Sequence, residues 1–392
     1  MAGAVAKITW FPGHMHKART EIAAAMRGVQ LVVELLDART PFSSENPLVP
    51  LLVRGQAGPS PSTSEVSTSS ARGGGGSRGG GSSSSSSSSN SGSSSGSSDR
   101  PCVPVLKVLN KADLADAAGT RRWLEYFSAQ PGVSAIALQA TEPNQAARVI
   151  EAGERVLAAR RGMSTMMVLG IPNVGKSTLI NSLTGRAVCK TGDIPAVTRQ
   201  QQLIVLTPRL NLLDTPGFLW PKLAPEACAH RLAITGAIAQ AVFDLPAVAP
   251  TLVRALQRLY PHVLQQVYKC TAAEARGAVE DSEDAVLARV ARRGGLIAKG
   301  GEPDMSRAAA AIVMDYRKGR LGRLTLETPE MIAEEGGLEG KREGVLGGAA
   351  REERIAEKRR VRRAARKKGG ADADEEFAAD DDEEFDAKHL QR

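Results

Sequence analysis

The chain has 392 residues, 42% of them hydrophobic, which is enough for a buried core in each of two ordinary domains with tails to spare. Lysine and arginine outnumber aspartate and glutamate by 51 to 43, giving a formal net charge of +8 even though an acidic segment closes the chain, so the remainder is basic enough to suit a nucleic-acid partner. No apolar run approaches the roughly 18 residues of a membrane span, and Cys102, Cys189, Cys228 and Cys270 lack CxxC spacing, which argues against a membrane partner, a zinc site or a disulfide framework.

The chain reaches Trp10-Phe11-Pro12-Gly13-His14-Met15 too soon for a signal peptide or a long transit peptide. The expected compartment is therefore the cytoplasm, with a mitochondrial or plastid matrix as the alternative. Leu31–Asp37 is a short apolar run predicted as a buried strand, followed by a turn and a short helix over about 45–53. From 55 to 99 the chain is almost entirely serine and glycine, too poor in apolar surface to offset its ordering entropy, and reads as a flexible linker. Strands are predicted at 103–109, 134–138, 166–169, 202–206 and 210–214, with amphipathic helices over about 116–129, 143–160 and 176–185. That alternation predicts an α/β fold with a doubly wound, mostly parallel sheet over 1–220. Because ligands of such sheets sit at the carboxyl ends of the strands, an insert between a helix and the next strand should project away from them.

After Pro221 only helical periodicity remains, over about 224–244, 250–268, 283–293 and 304–318, the last with Asp304 as N-cap and Gly319 as terminator. A small all-helical domain is expected over 221–328. The remainder, 329–392, reads as a charged and largely unfolded tail: a basic run including Arg359, Arg360, Arg362, Arg363, Arg366, Lys367 and Lys368, then an acidic run from Asp372 to Asp386. The basic run either adds phosphate contacts that the acidic run masks, or the two are simply a solvated tail. Nothing marks an oligomer interface, so the free protein is expected to be a monomer.

The chemistry lies in three boxes. Gly170-Ile171-Pro172-Asn173-Val174-Gly175-Lys176-Ser177, followed by Thr178, is a GxxxxGKS loop between a strand and a helix. Its backbone N–H groups can wrap the α- and β-phosphates, Lys176 can reach the β/γ oxygens and serve the chemistry there, and Ser177 can ligate Mg²⁺. Asn110-Lys111-Ala112-Asp113 ends a strand, and Asp113 can accept hydrogen bonds from guanine N1 and its exocyclic amine, which adenine cannot offer. Gln139-Ala140, after the next strand, is the natural place for a backbone contact to guanine O6. Asp214-Thr215-Pro216-Gly217 supplies Asp214 to hold Mg²⁺ through water and the Gly217 amide for the γ-phosphate. Thr198, in Asp193-Ile194-Pro195-Ala196-Val197-Thr198, is the candidate second hydroxyl ligand of Mg²⁺ and a member of the catalytic switch. The expected ligands are GTP and GDP, with Mg²⁺ as cofactor.

The order is rotated: the guanine box precedes the phosphate loop. A folded site does not record chain order when the original termini lay close together. Phe218 stands where Ras-type enzymes carry a water-orienting glutamine, and an apolar ring cannot hold water by hydrogen bonding. Two compensations are visible, a monovalent cation near Asn173 and His14, although the residue chemistry of His14 fits a nucleic-acid contact or a packed turn equally.

Taken in order, Trp10–Met15, Asp37-Ala38-Arg39-Thr40-Pro41, NKAD, GIPNVGKST, PAVT and DTPGFLWPK resemble the circularly permuted ribosome-biogenesis GTPases of the YlqF/RbgA type, over about 7–54 and 100–328. The resemblance implies a GTPase that docks on the nearly complete large ribosomal subunit, assists its late maturation and leaves after subunit-stimulated hydrolysis. It implies that His14 serves hydrolysis, that Asn173 is linked to K⁺ dependence, and that the stretch from Arg292-Arg293 to Arg320-Leu321-Gly322-Arg323 contacts ribosomal RNA. The Ser/Gly insert, Gln139 in place of a usual serine, and the charged tail depart from the family pattern. A scaffold that binds GTP and RNA with negligible hydrolysis is the competing expectation.

Overall fold

A computed structural model describes residues 13–54, 102–189 and 201–345, and gives only the helix path of 13–17. The Ser/Gly insert, Thr198, Trp10–Pro12 and the charged runs beyond 345 lie outside the described residues. In chain order the sheet half comprises α1 (Gly13–Ala25), β1 (Leu31–Asp37), α2 (Pro41–Ser44), α3 (Val49–Val53), β2 (Val105–Asn110), α4 (Ala117–Ser128), β3 (Val133–Ala137), α5 (Pro143–Val156), β4 (Ser164–Gly170), α6 (Lys176–Thr184), β5 (Gln202–Thr207) and β6 (Leu210–Asp214). The helical half follows with α7 (Glu226–Thr235), α8 (Leu245–Leu259), α9 (Pro261–Tyr268), α10 (Ala272–Ala275), α11 (Ser282–Arg293), α12 (Met305–Arg317) and α13 (Pro329–Glu334).

The strands form one sheet in the order β3-β2-β1-β4-β6-β5, parallel except where the edge strand β5 runs antiparallel to β6. Every residue of β1 is buried, as expected for a central strand covered on both faces. The register places Asp37 opposite Asn110, Leu35 opposite Gly170 and Val168 opposite Asp214. The carboxyl ends of β1, β2, β4 and β6 therefore meet at one edge, and each leads into a motif identified from the sequence. The insert rejoins the described chain just before β2, at the end of that strand away from Asn110.

Several boundaries differ from expectation for local reasons. The helix expected over 45–53 is confined to α3, and the turn before it contains the short α2, because Glu34 Oε1 accepts from Asn46 N–H at 2.8 Å and Asn46 Oδ1 accepts from Leu48 N–H at 3.0 Å, bonds that compete with a helical turn between the two. α7 stops at Thr235, where Gly236 adopts φ 84°, and a 3₁₀ turn over Gln240–Val242 follows. The helix expected over 250–268 starts earlier, at Leu245, and breaks at Tyr260, where Pro261 opens α9 without an N–H to continue α8. Asp304 caps α12 as predicted, accepting from Arg307 N–H at 3.0 Å, and Gly319 follows it at φ 70°.

The start of the expected unfolded tail is folded. Thr328 caps α13, and the chain is helical again from 337 to 345. Met331, Ile332 and Lys341 are buried there. Composition alone misses this because Lys341 reads as solvated charge, whereas its ammonium donates to the carbonyls of Phe42 and Glu45 and lies over the rings of Phe42 and Trp220. The helical half shares the core of the sheet: Trp220, Leu232, Leu252 and Ile312 belong to the same buried cluster as Leu31, Val168 and Leu212.

Candidate nucleotide site

Asn110, the last residue of β2, ties the two nucleotide-facing regions together. Its Nδ2 donates to Val174 O at 2.8 Å in the phosphate loop, and its Oδ1 accepts from Ala140 N–H at 2.9 Å. Lys111, at φ 61°, donates to Asn173 O at 2.8 Å and to Asp37 Oδ2 at 3.0 Å. Ala112 N–H donates to Leu138 O at 3.2 Å, which joins the guanine box to the Gln139-Ala140 turn. Asp113 is half-buried, and its carboxylate makes no hydrogen bond to a described residue. Gln139 N–H donates to Gln145 Oε1 at 2.9 Å, so both amides expected to face guanine O6 are engaged by side chains. A contact to O6 there requires Ala140 N–H to be shared with Asn110.

The phosphate loop is shaped by Asn173 at φ 57° and Gly175 at φ 100°, which turn the chain from β4 into α6. Gly175 is required twice over, because a Cβ there would also lie 2.3 Å from Asn110 Nδ2. Lys176 and Asp214 form an ion pair, with side chains only 6% and 1% exposed. The second oxygen of Asp214 accepts from the Cys189 thiol at 3.3 Å. Burial first, then the negative charge of Asp214, pushes the Cys189 thiol up to about 11, so it stays protonated at neutral pH. Ser177 and Thr178 are half-buried in the first turn of α6. Hydroxyl and carboxylate oxygens from Ser177 and Asp214 are a hard donor set that suits Mg²⁺.

Gly217 lies against the phosphate loop: a Cβ there would be 3.2 Å from Pro172 N. Phe218 is fully buried, its N–H donates to Gly170 O at 3.3 Å, and its carbonyl accepts from Asn46 Nδ2 at 3.0 Å. The ring is thus part of the core and plays no part in holding water. His14 falls in the first turn of α1.

The sequence reading assigned no role to Asp37 and Arg39, although it quoted their motif. Arg39 donates to both carboxylate oxygens of Asp37, at 2.9 and 2.7 Å. Burial by itself would raise the pKa of Asp37, but the charges of Arg39 and Lys111 outweigh it and hold the carboxyl well below the usual carboxylate range. Cys189 and the side chain of Asn173 were also missed as contacts: Asn173 Nδ2 donates to Gly236 O at 2.9 Å, at the end of α7. An apolar strand ending in aspartate, with an arginine two residues on, is the signal that pointed to the first pair.

A mostly parallel sheet whose strand ends bring NKxD, GxxxxGKS and DxxG boxes into one site, in rotated order, defines a circularly permuted P-loop GTPase. The family described as 50S ribosome-binding GTPase matches residues 165–260. Ribosome biogenesis GTPase A of Bacillus cereus is 33% identical over 84% of this chain and 96% of its own length. The protein of the same name from Thermotoga maritima is 27% identical over 83% of this chain and 96% of its own. A crystal structure of GNP-bound YlqF from T. maritima aligns with a TM-score of 0.48 and 24% identity, covering 81% of this chain and all of that one. The chain belongs to the ribosome biogenesis GTPase A family.

Proposed function

We propose that the protein binds and hydrolyses GTP on the large ribosomal subunit, assists late maturation of that subunit, and is released after hydrolysis. The observation that carries this is the direct tie between the guanine box and the phosphate loop, Asn110 to Val174 and Lys111 to Asn173, which fixes base and phosphate recognition in one rigid frame. Val174, Gly175, Lys176, Ser177 and Thr178 cradle the phosphates, with Lys176 turning from Asp214 to the β/γ oxygens. Asp113 selects guanine, and Ala140 serves O6.

Ser177, Thr198 and, through water, Asp214 would hold Mg²⁺, which would supply neutralisation of charge on the phosphates. Gly217 N–H addresses the γ-phosphate. Asn173, whose Nδ2 donates to Gly236 O, is our candidate residue for a K⁺ ion beside the phosphates. Burial of Phe218 leaves the positioning of water to another group, and His14 is our candidate. Ribosomal RNA is the partner of the basic stretch 292–323, and the free protein is a cytoplasmic monomer. Retention of both Lys176 and Asp214 disfavours a scaffold that binds GTP without turning it over.

GTP turnover in potassium and in sodium buffer, with and without large subunits, tests the reading. Strong stimulation by subunits is expected; tight GTP binding with turnover unmoved by subunits would sink it.

A further inference from the structure

Two side chains from opposite halves of the chain close on the C-terminus of α7. Arg317, the last residue of α12, donates through Nε to Ile234 O at 2.8 Å and through Nη2 to Ala233 O at 2.7 Å. Two residues beyond Ile234, Gly236 O accepts from the phosphate-loop Asn173 at 2.9 Å. A Cβ on Gly236 would sit 3.7 Å from the Arg317 guanidinium carbon, so the arginine and the asparagine grip adjacent faces of one helical end.

The other side of the circuit is also continuous. Asn173 O is held by Lys111, Lys111 by Asp37, and Asp37 by Arg39. Arg39 lies over the ring of Tyr316 at 5.4 Å, and Tyr316 is the chain neighbour of Arg317. Leu326 N–H donates to Arg39 O at 2.8 Å, which fixes the chain just after the basic residues Lys318, Arg320 and Arg323 to the same arginine.

We infer that Arg317 is a positioning residue for the nucleotide site. It acts through the α7 carbonyls and Asn173 on the phosphate loop, and reciprocally reports nucleotide occupancy to the basic segment 317–323. At the nucleotide itself the circuit touches only Lys111 of the guanine box and Asn173 of the phosphate loop and omits Asp214–Phe218, so GDP engages it as GTP does. It is a sensor of occupancy, distinct from sensing of the γ-phosphate. A guanidinium suits the role because its rigid planar fork presents two N–H groups from two separate nitrogens to two terminal carbonyls of a helix, whereas a lysine in its place would have to reach both from one nitrogen on a flexible stem. Linkage requires that whatever stabilises the circuit at one end raises affinity at the other by the same factor.

The inference rests on the nucleotide reading above, and the test separates the two. GDP binding to the full chain is measured first with a fluorescent GDP analogue, followed by backbone hydrogen exchange with and without saturating GDP. Expected is that the amides of Gly236, Ala237, Lys318, Gly319 and Arg320 exchange at least about fivefold more slowly with GDP. Arg317→Lys, which keeps the charge and loses the fork, should weaken GDP binding about 3- to 10-fold and abolish the GDP-dependent protection at 318–320. Bound GDP with unchanged exchange at both segments overturns the inference and leaves the nucleotide reading standing. Absence of GDP binding sinks both. An Arg317→Lys protein that melts earlier but keeps the wild-type GDP-dependent difference shows a structural role only and also overturns it. Should that variant fail to fold, the exchange measurement on the unaltered chain decides.

Discussion

The Cβ that alanine would add at Gly175 falls 2.3 Å from Nδ2 of Asn110, the atom that holds the guanine box to the phosphate loop. Because Gly175 is also at φ 100°, Gly175→Ala should displace Asn110 and lower GTP affinity by about 100-fold in a fluorescent-nucleotide titration. Gly185→Ala is the control: its φ is 65° but nothing lies within 4 Å of the added Cβ, so it should cost about 1 kcal/mol of stability and leave affinity within about twofold. Equal affinity losses in the two variants would refute the steric argument.

Lys176→Ala removes one partner of a buried ion pair and leaves the Asp214 carboxylate, among the described residues, with only the Cys189 thiol. Nucleotide binding should be lost, and urea unfolding should show a deficit of about 3 kcal/mol. Adding Asp214→Asn should recover most of that stability without restoring binding. A double variant as unstable as the single one would mean that the pair is not what stabilises this corner of the fold.

Asp37 offers a test by pH. Its folded pKa lies below the usual 3.8, so its ionised form contributes stability in full above that value and loses it as pH falls towards the folded pKa. Asp37→Asn should therefore show a deficit of about 3 kcal/mol that is flat from pH 7 to about 5 and shrinks below about pH 4. Urea midpoints of both proteins across that range provide the comparison; a deficit that grows on acidification would contradict the assignment.

The cysteines should separate by reactivity. Cys102 is exposed, whereas Cys189 is buried with its thiol pushed up to about 11. At pH 8, iodoacetamide should label Cys102 first and Cys189 only after denaturation, read by peptide mass spectrometry. Labelling of Cys189 at the rate of Cys102 would mean the thiol is not held against Asp214.

The position of Lys341 dictates where the tail can be cut. Truncation after Val345 should leave the melting temperature within about 2 °C and lower the salt dependence of RNA binding if the basic run contacts phosphates. Truncation after Gly336 should lower the melting temperature by several degrees, because it removes the ammonium from between Phe42 and Trp220. Equal melting temperatures for the two truncations would place the 337–345 helix outside the cooperative unit.

The sheet and its motif-bearing loops were legible because each signal is local: an apolar run of strand length ending in NKAD, GIPNVGKST or DTPG carries its meaning within a few residues. What escaped was non-local. Glu34 and Lys107 look like interruptions of two apolar strands, yet the register sets them opposite each other and they pair at 2.8 Å. Glu327 reads from composition as a solvated charge at the end of the helical half but is fully buried, accepting from Ser43 Oγ at 2.5 Å and Ser43 N–H at 2.9 Å. Helix ends were read less well than strands, since the break between α8 and α9 depends on which proline the tertiary packing tolerates inside a helix: Pro250 lies within α8, Pro261 ends it.

The bonds from Ser43 to Glu327 and from Lys341 to Phe42 join α2 to residues 284 and 299 positions further along the chain. A nascent chain can form β1 early, but the contacts of α2 with Glu327 and Lys341 stay open until those residues leave the ribosomal exit tunnel. Contacts of such sequence separation slow folding, because loop closure must precede the contacts that reward it. Chains terminated before Lys341 would then expose Phe42 and Trp220, which marks them for proteolysis.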